Sequence, residues 1–279
     1  MTTVAAALAA ARAKLPAAEA RLLLGHVLDR QAAWLIAHDD ELLDEAALLN
    51  FASLAARRAG GEPVAYLIGY REFFGREFAV SPAVLIPRPE TELLVEVALA
   101  RVMRSGIPGD GTGDPAILDL GTGSGCIAVT LALEMPHAQV SGVDESEAAL
   151  VVAQRNSERH CAKLRLLQSD WFAALAGECF DLIVANPPYI AASDPHLFAG
   201  DLRHEPPAAL SSGSDGLEAI RHIIAAAPAH LVPGGQLWLE HGHDQAGAVR
   251  ELFAAAGLVG VEQLRDIAGI ARVSGGRLG

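Results

Sequence analysis

The segment with the most specific chemical pattern is Asn186-Pro187-Pro188-Tyr189, which follows an apolar run. Proline lacks a backbone N–H and fixes φ, so this turn offers hydrogen-bond acceptors with few competing donors. The Asn186 side-chain oxygen and the Pro187 carbonyl can each accept one hydrogen of a planar NH₂ group, while the Tyr189 ring covers its π face. Held in this way, the nitrogen directs its lone pair at an electrophile, which is catalysis by orientation. The segment predicts an amide or amino-heterocycle substrate bound by all four residues, with Asn186, Pro187 and Tyr189 catalytic.

A glycine-rich turn lies earlier in the chain, in the segment Asp119-Leu120-Gly121-Thr122-Gly123-Ser124-Gly125. Glycine lets the backbone approach a ligand closely, and the start of the helix that follows presents unpaired N–H groups. A dinucleotide fingerprint needs its third glycine at position 126, where this chain has Cys126. The spacing therefore favours a different nucleoside ligand, with Asp119 organising a loop of five candidate contacts: Gly121, Thr122, Gly123, Ser124 and Gly125.

Acidic residues follow the next two apolar runs. Asp144 stands where a carboxylate can accept both hydroxyls of a ribose, although a helix cap ahead of Ser146 explains the same position. Asp170-Trp171 offers an acceptor for an exocyclic amine and a flat surface for a base, or simply forms a structural turn. Together with the glycine-rich turn, these residues predict a nucleoside-binding site that includes Asp144, Asp170 and Trp171.

The remaining candidates are more ambiguous. His241-Gly242-His243 could place two ligands on one side of an extended segment, but no third ligand has suitable spacing, so no metal site is predicted. Glu240 and His241 are expected to support the wall of the site. Arg88 and Glu90 either cap the helix that follows or orient substrate, and capping is the safer interpretation. Residues 194–210 form either a substrate-facing lid or irregular surface.

The elements that position these residues alternate between strand and helix after residue 115. A βαβ series of this kind packs as a parallel sheet with helices on both faces, and its ligands bind beyond the carboxyl ends of the strands. Every motif above falls at such an end. The predicted strands are Ala116 to Leu120, Gln139 to Asp144, Leu164 to Gln168, Phe180 to Asn186 and Gln236 to Glu240.

The first part of the chain has a different pattern. Residues 3–59 predict a small all-helical unit whose first helix is capped by Thr3, and whose last helix ends at Gly60-Gly61. Aromatic and β-branched residues around Gly69 and Gly75 then predict a hairpin. The glycine-rich and proline-containing residues 105–115 predict a mobile connector.

Composition limits the possible partners. The 279 residues carry a net charge of −13, of which −2 falls before residue 73 and −11 after it. This negative charge disfavours a broad phosphate-binding face, because contacts to phosphate need cationic side chains. A cationic small molecule suits the acidic part of the chain better. No direct nucleic-acid partner and no membrane partner are expected. The three cysteines fit neither a disulfide framework nor a zinc site, so we expect buried thiols in the reducing cytoplasm.

Taken together, the glycine-rich loop, the acidic residue after the second strand and NPPY resemble class I S-adenosylmethionine-dependent N-methyltransferases. A longer set of motifs along the chain resembles the protein-(glutamine-N5) methyltransferases that modify peptide chain release factors, over most of residues 61–279. NPPY alone is shared with DNA adenine and RNA methyltransferases, whereas the combination of IPRPETE and NPPYI is far more specific. The motifs of the longer set are GEPVAYLIGYREFFG, VSPAVLIPRPETE, QSDWF, NPPYI, DPHL and LEHG.

This resemblance implies an α/β, Rossmann-like catalytic sheet over residues 87–279, a helical release-factor-docking domain over 1–72, and a β-hairpin linker over 73–86. It implies S-adenosylmethionine as the cofactor and, as the substrate, the glutamine in a Gly-Gly-Gln loop. The family's cofactor contacts fall on Gly121 to Gly125, Asp144 and Trp171. Its glutamine contacts fall on Asn186, Pro187 and Tyr189.

The expected reaction is in-line transfer of a methyl group to the glutamine amide nitrogen, with release of a proton to water and without a dedicated base. Two other functions stay open at this point. NPPY also suits the amino group of adenine in DNA or RNA, although the net charge of −13 disfavours it. A non-enzymatic nucleoside-binding regulator, recruiting partners through its helical domain, is the second alternative.

Overall fold

The computed structural model describes residues 2–105 and 113–279, and the chain divides into two compact units, Met1–Tyr70 and Arg71–Gly279. Most of the connector predicted at 105–115 therefore lies outside the described residues. Among the helices that are described, none combines the length and apolar character needed to cross a membrane.

The first unit is built mainly from helices. Thr3 caps the first helix as predicted, because its Oγ1 accepts a hydrogen bond from the Ala6 N–H at 3.2 Å. Asp44 caps the fourth in the same way, accepting from the Ala47 N–H at 2.7 Å. A two-residue strand pair that the sequence pattern did not predict joins positions 2–3 to 42–43. The elements are β1 (Thr2–Thr3), α1 (Val4–Ala11), α2 (Ala17–Leu28), α3 (Ala32–Ala37), β2 (Leu42–Leu43), α4 (Glu45–Ala59) and α5 (Val64–Ile68).

A hairpin follows, formed by β3 (Tyr70–Phe73) and β4 (Arg76–Ala79). Phe74 and Gly75 make its turn, both with positive φ, 52° and 73°. These strands lie earlier than the linker expected at 73–86, because the turn that closes them is fixed at Gly75. Beyond β4 the chain contains no further strand before α6 (Glu92–Ser105).

The second unit contains a seven-stranded sheet in the order β10-β11-β9-β8-β5-β6-β7. The five strands from β9 to β7 run parallel, whereas β11 pairs antiparallel with both β9 and β10. The remaining elements of this unit are β5 (Ala116–Leu120), α7 (Cys126–Glu134), β6 (Gln139–Asp144), α8 (Glu147–His160), β7 (Arg165–Gln168), β8 (Phe180–Ala185), α9 (Glu218–Ala226), β9 (Leu231–Glu240), α10 (Ala246–Ala255), β10 (Leu258–Arg265) and β11 (Ala271–Leu278).

The predicted parallel strands are therefore confirmed, but the two C-terminal strands were missed. Consecutive glycines are poor strand formers, and Gly275 and Gly276 hid β11. The structure shows why glycine stands there: Gly275 pairs with Trp238, and a Cβ at position 275 would lie 2.1 Å from the indole ring. The absence of a side chain lets the buried Trp238 ring lie across β11.

Alternate residues of the central strands face two separate hydrophobic layers. Ile117, Leu182 and Trp238 pack on one face with residues of α6 and α7. Leu118 and Ile183 pack on the other face with residues of α9 and α10. Burial on both faces fixes the register of each strand, because a slip of one residue would exchange the two layers.

The cysteine prediction was wrong in part. All three thiols are unpaired, but only Cys126 is buried, while Cys161 and Cys179 are exposed. Cys161 occupies the left-handed position that ends α8, and Cys179 precedes the first residue of β8, so both lie where the chain turns at the surface.

Gly275→Ala is expected to lower the free energy of unfolding by about 1–3 kcal/mol or more, because the new methyl group overlaps a buried ring. Gly247 is the matched control, since it lies in α10 with open space around it. Gly247→Ala is expected to raise stability by up to about 1 kcal/mol. Urea denaturation measures both differences, and an unchanged midpoint for Gly275→Ala would contradict the packing argument.

Candidate functional site

A cavity of about 290 Å³ opens at the carboxyl ends of β5, β6, β7 and β8. Nine of the twelve residues predicted for the site line it: Gly121, Thr122, Gly123, Ser124, Asp144, Asp170, Trp171, Asn186 and Pro188. The other three, Gly125, Pro187 and Tyr189, do not line the cavity and lie behind its wall. The sheet therefore brings the nucleoside-type motifs and the proline-rich turn to one opening.

The glycine-rich loop depends on backbone conformations that favour glycine. Gly121, Gly123 and Gly125 have φ values of 69°, 55° and 78°. A Cβ at Gly121 would lie 3.5 Å from the Trp171 ring, so the side chain of any other residue would enter the space beside that ring. Gly125 instead begins α7, where a Cβ would lie 3.2 Å from that of Ala153. Gly121 keeps the cavity open, whereas Gly125 permits close packing of two helices.

Two buried side chains hold this loop in place. The Thr122 hydroxyl donates to Asp119 Oδ2 at 2.7 Å, which gives Asp119 the organising role expected of it. Asn156, on α8, donates from Nδ2 to the carbonyls of Ser124 and Ala79 and accepts from the Ala79 N–H at 2.7 Å. The sequence pattern gave no signal for Asn156, because a single amide on an otherwise ordinary helix has no periodicity.

Asp144 does not cap α8, because Ser146 takes that position and accepts from the Ala149 N–H at 3.2 Å; Asp144 instead lines the cavity. Its Oδ1 accepts from the Ser146 N–H and its Oδ2 from the Gly123 N–H, each at 2.9 Å. A carboxylate has about four acceptor positions, so two backbone donors leave capacity for a ligand hydroxyl. Burial raises the pKa of Asp144, and the two backbone hydrogen bonds oppose that rise.

Trp171 lies on the neighbouring loop in an unusual backbone conformation, with a φ of 47°. The Ser169 hydroxyl donates to the Trp171 carbonyl at 2.8 Å and also accepts from the Ala174 N–H at 3.0 Å. These bonds stabilise a turn that places the indole beside Gly121. Asp170, between the two residues, lines the cavity and is exposed to solvent.

The proline-rich turn presents its asparagine to the cavity and its tyrosine to the interior. Asn186 Nδ2 donates to Thr91 Oγ1 at 3.0 Å, and no described residue donates to its Oδ1. Pro187 is buried, and Pro188 lines the cavity. The Tyr189 hydroxyl donates to Glu240 Oε1 at 3.1 Å, and burial, then the Glu240 carboxylate, raise its pKa.

Residues that sequence reasoning missed or left open hold the turn from behind. Glu240 ends β9 and is buried, as is Thr91, just before α6. Burial raises the pKa of Glu240, while the hydroxyls of Thr91 and Tyr189 and the charge of Arg272 oppose the rise. Gln245 donates from Nε2 to the Tyr189 carbonyl at 2.9 Å. Glu240 thus contacts the turn from behind, and its role in supporting the wall of the site stays a prediction.

The Arg88 interpretation was wrong, because its side chain makes no capping hydrogen bond. Arg88 instead pairs with Glu205, whose side chain is fully buried and whose Oε2 also accepts from the Ile86 N–H at 3.0 Å. Glu205 belongs to the loop 194–210, and three residues just beyond it line the cavity: Pro206, Ala208 and Ala209. That part of the loop is a wall of the site, whereas Phe198 is 76% exposed.

Two residues that could act as a nucleophile or a metal ligand, Cys126 and His241, are buried. Burial raises the pKa of the Cys126 thiol to about 12, so this cavity-lining group stays protonated. His241 is buried with its ring nitrogens 2.9 Å from the Gly242 carbonyl and 2.8 Å from the Ser274 hydroxyl, and burial lowers its pKa. No cluster of three or more His, Cys, Asp or Glu side chains in residues 2–105 and 113–279 could hold a metal ion.

Comparison with known proteins gives close relatives over nearly the whole chain. Residues 1–69 match the family model of the PrmC N-terminal domain, and residues 100–213 match that of the methyltransferase small domain. The release factor glutamine methyltransferase of Burkholderia pseudomallei is 55% identical over 271 residues, covering 95% of this chain and 93% of that protein. The protein of the same name from Bordetella pertussis is 53% identical over 265 residues, covering 95% and 96%.

Solved structures share the fold of the second unit. The 16S rRNA N2 G1207 methyltransferase of T. thermophilus, determined in complex with AdoMet and guanosine, has a TM-score of 0.54 and 24% identity. The match covers 75% of this chain and 50% of that chain. At this identity the likeness supports the class I methyltransferase fold alone.

Asp119→Asn is expected to change how stability depends on pH. Burial raises the pKa of Asp119 to about 7, well above its value of roughly 4 in an unfolded chain. The folded state therefore binds the proton more tightly, and this contribution to stability is lost as the pH rises from about 4 through 7. The variant should lose less stability than the wild type between pH 5 and pH 8.

Urea denaturation at several pH values measures this difference. Asp40→Asn is the control, because Asp40 is exposed and the variant should keep the pH dependence of the wild type. A parallel pH dependence for Asp119→Asn and the wild type would contradict the assignment.

Proposed function

This chain belongs to the release factor glutamine methyltransferase family, and we propose that its cavity binds S-adenosylmethionine while the Asn186 turn holds the substrate glutamine. The protein is a methyltransferase that modifies a release factor glutamine. We further propose that the methyl group goes to the side-chain amide nitrogen of the glutamine in a Gly-Gly-Gln loop.

The residues of the cavity fit this cofactor. Asp144 keeps acceptor capacity for ribose hydroxyls, and Trp171 offers a flat apolar surface beside the Gly121 backbone. Of the lining residues in the described part of the chain, three are acidic, Asp144, Glu145 and Asp170. One is a cation, Arg88, and it is paired with Glu205. This balance favours a positively charged ligand. When bound, S-adenosylmethionine supplies a methyl group on a positively charged sulfur.

The observation that carries the proposal is the orientation of the Asn186 amide. Because Nδ2 donates to Thr91, Oδ1 is the polar atom left to meet a ligand in the cavity. An acceptor at that point suits an NH₂ group, and the Pro187 carbonyl is proposed as its second acceptor. Because Tyr189 does not line the cavity, its proposed role is to hold the turn in place through the bond of its hydroxyl to Glu240.

These residues are proposed to catalyse transfer by holding the acceptor nitrogen in the orientation needed for attack. Among the described residues, neither a histidine nor a lysine lines the cavity, and the Cys126 thiol stays protonated. A methylated amide nitrogen is a strong acid that can release its proton to water, so the chain needs no dedicated base. Asn186 and Pro187 orient the nitrogen, and the walls formed by residues 206–209 reduce access of water to it.

The helical unit is proposed to help dock the release factor. Four large apolar side chains of this unit are exposed to solvent and are proposed as candidates for this contact. These side chains are Leu22, Ile36, Leu42 and Leu49. A release factor substrate supports the proposal that the activity is cytoplasmic.

Transfer assays on three acceptors test the proposed substrate. Incubation with labelled S-adenosylmethionine is expected to label a release factor, but not duplex DNA or bulk RNA. Mass spectrometry should then find the added mass of one CH₂ group on the peptide with the Gly-Gly-Gln sequence. Label on nucleic acid would support an adenine methyltransferase instead, and cofactor binding without label on any acceptor would support a regulator.

Asn186→Ala and Asp144→Ala are expected to affect different steps. Loss of the amide acceptor should lower kcat by about 100-fold through misorientation, with little change in the Kd of S-adenosylmethionine. Loss of the Asp144 carboxylate should weaken cofactor binding by about tenfold or more, the scale of a charged hydrogen bond. Calorimetry gives the Kd values, and steady-state assays give kcat. Full transfer by Asn186→Ala would contradict the acceptor role.

A further inference from the structure

An ion pair joins two segments of the cavity wall that are distant in the sequence. Arg88 lines the cavity, and its Nη2 donates to Glu205 Oε1. The Arg88 side chain is 30% exposed, whereas the Glu205 side chain is 0% exposed and does not line the cavity. The cation therefore reaches the cavity, and the carboxylate that compensates it lies buried behind the wall.

The hydrogen bonds of Glu205 are those of an ionised carboxylate. Its Oε1 accepts from the Arg88 guanidinium, and its Oε2 accepts from the Ile86 N–H at 3.0 Å. Guanidinium and backbone N–H groups only donate hydrogen bonds, so neither oxygen of Glu205 can present a proton to its partner. Because arginine stays protonated in proteins, the pair consists of a cation and an anion.

Glu205 alone compensates this cation in the part of the chain that the structure describes. No other carboxylate there forms an ion pair with Arg88, and no lysine or second arginine there lines the cavity. Loss of the Glu205 charge would thus leave one unpaired cation in the lining. Charges that are partly buried are screened by salt much less than charges on an open surface. An unpaired Arg88 would therefore act directly on a charged ligand in the cavity.

The ligand before methyl transfer and the ligand after it differ in charge. S-adenosylmethionine carries a positively charged sulfur, whereas S-adenosylhomocysteine, the molecule left once the methyl group has gone, has a neutral sulfur. The two molecules share the adenosine group, the amino group and the carboxylate, so a comparison of their affinities isolates the sulfonium charge. A like charge in the cavity repels the sulfonium but not the neutral sulfur.

We propose that Glu205 is a specificity-determining residue: by neutralising Arg88, it raises the affinity of the cavity for the cationic cofactor relative to the neutral product. This inference rests on the proposed function and extends it to the choice between two ligands of one site. Glu205 acts through Arg88 and touches neither ligand, so it is a positioning residue. With Arg88 neutralised, the acidic lining residues Asp144, Glu145 and Asp170 set the charge that a ligand meets.

Glu205→Gln removes the charge with little change in shape. The glutamine oxygen can still accept from Arg88, but the cation is no longer neutralised. Calorimetry gives the Kd of each ligand, and the Kd of S-adenosylhomocysteine divided by that of S-adenosylmethionine is the cofactor preference. We expect the cofactor preference to fall by about tenfold, because the unpaired cation repels only the sulfonium. A merely structural role would weaken both ligands by the same factor and leave the preference unchanged.

Arg88→Gln gives an independent test if Glu205→Gln does not fold. This variant keeps the carboxylate and removes the cation, so the cofactor preference should shift the other way and rise by about twofold or more. The double variant, Arg88→Gln with Glu205→Gln, removes both charges. It should bring the cofactor preference back to within about twofold of the wild type, because the effects of two coupled charges are not additive.

Glu19→Gln is the matched control for breaking an ion pair that is shielded from solvent. Glu19 accepts from the Arg58 guanidinium at 2.7 Å and 2.9 Å, and both side chains are largely covered. Neither residue lines the cavity. The control variant should therefore keep the wild-type cofactor preference, whatever its effect on the thermal transition.

The outcomes separate the two proposals. If the wild type binds neither ligand, the proposed function fails. If it binds both, and the folded single variants at positions 205 and 88 keep its cofactor preference, the role of Glu205 fails while the function stands. Equal strengthening of both ligands in Glu205→Gln also contradicts that role, because the freed Arg88 would then be binding the carboxylate that the ligands share. A lower preference in Glu205→Gln that the double variant restores, and that Glu19→Gln lacks, supports the role.

Discussion

The site depends on one topological constraint: the order in which the chain adds strands to the sheet reverses between the neighbouring strands β5 and β8. From β5 the chain continues to β6 and β7 on one side and then crosses to β8 on the other. Loops that leave two neighbouring strands in opposite directions cannot cover the edge between them, so an opening forms there. Gly121 follows one of these strands and Asn186 the other. The glycine-rich loop and the proline-rich turn therefore share one cavity.

Loops at such an edge have no strand ladder to hold them, and here buried side-chain amides replace it. Asn156 bonds to the backbone of Ser124 and Ala79, and Gln245 bonds to that of Tyr189 and Gly216. An amide can donate and accept at once, so each satisfies backbone groups that would otherwise be buried without partners. The resulting rigidity suits a reaction that relies on orientation, because displacements of about 1 Å at a reacting centre are costly.

The buried carboxylates of this site also lower the stability of the folded chain. Burial raises the pKa values of Asp119, Asp144 and Glu240, so each carboxylate is less stable as an ion than it would be in water. Hydroxyl and backbone donors recover part of that loss, and each donor also fixes a hydrogen-bond direction. The same carboxylates that weaken the fold therefore also hold the loops around the cavity.

The sequence by itself determined the parallel strands and the positions of the glycine-rich loop and the proline-rich turn at their carboxyl ends. Those features are local: alternating elements, positive φ at glycine, and the missing N–H of proline are readable from neighbouring residues. Tertiary structure alone decided that Asn186 meets Thr91, 95 positions away, and that Arg88 pairs with Glu205 across 117 positions. It also decided that Gly275 and Gly276 form a strand, because the space they leave is filled by Trp238 from another strand and Phe253 from a helix. Single contacts between distant residues have no periodicity or fixed spacing, so only the folded chain shows which side chains share a buried hydrogen bond.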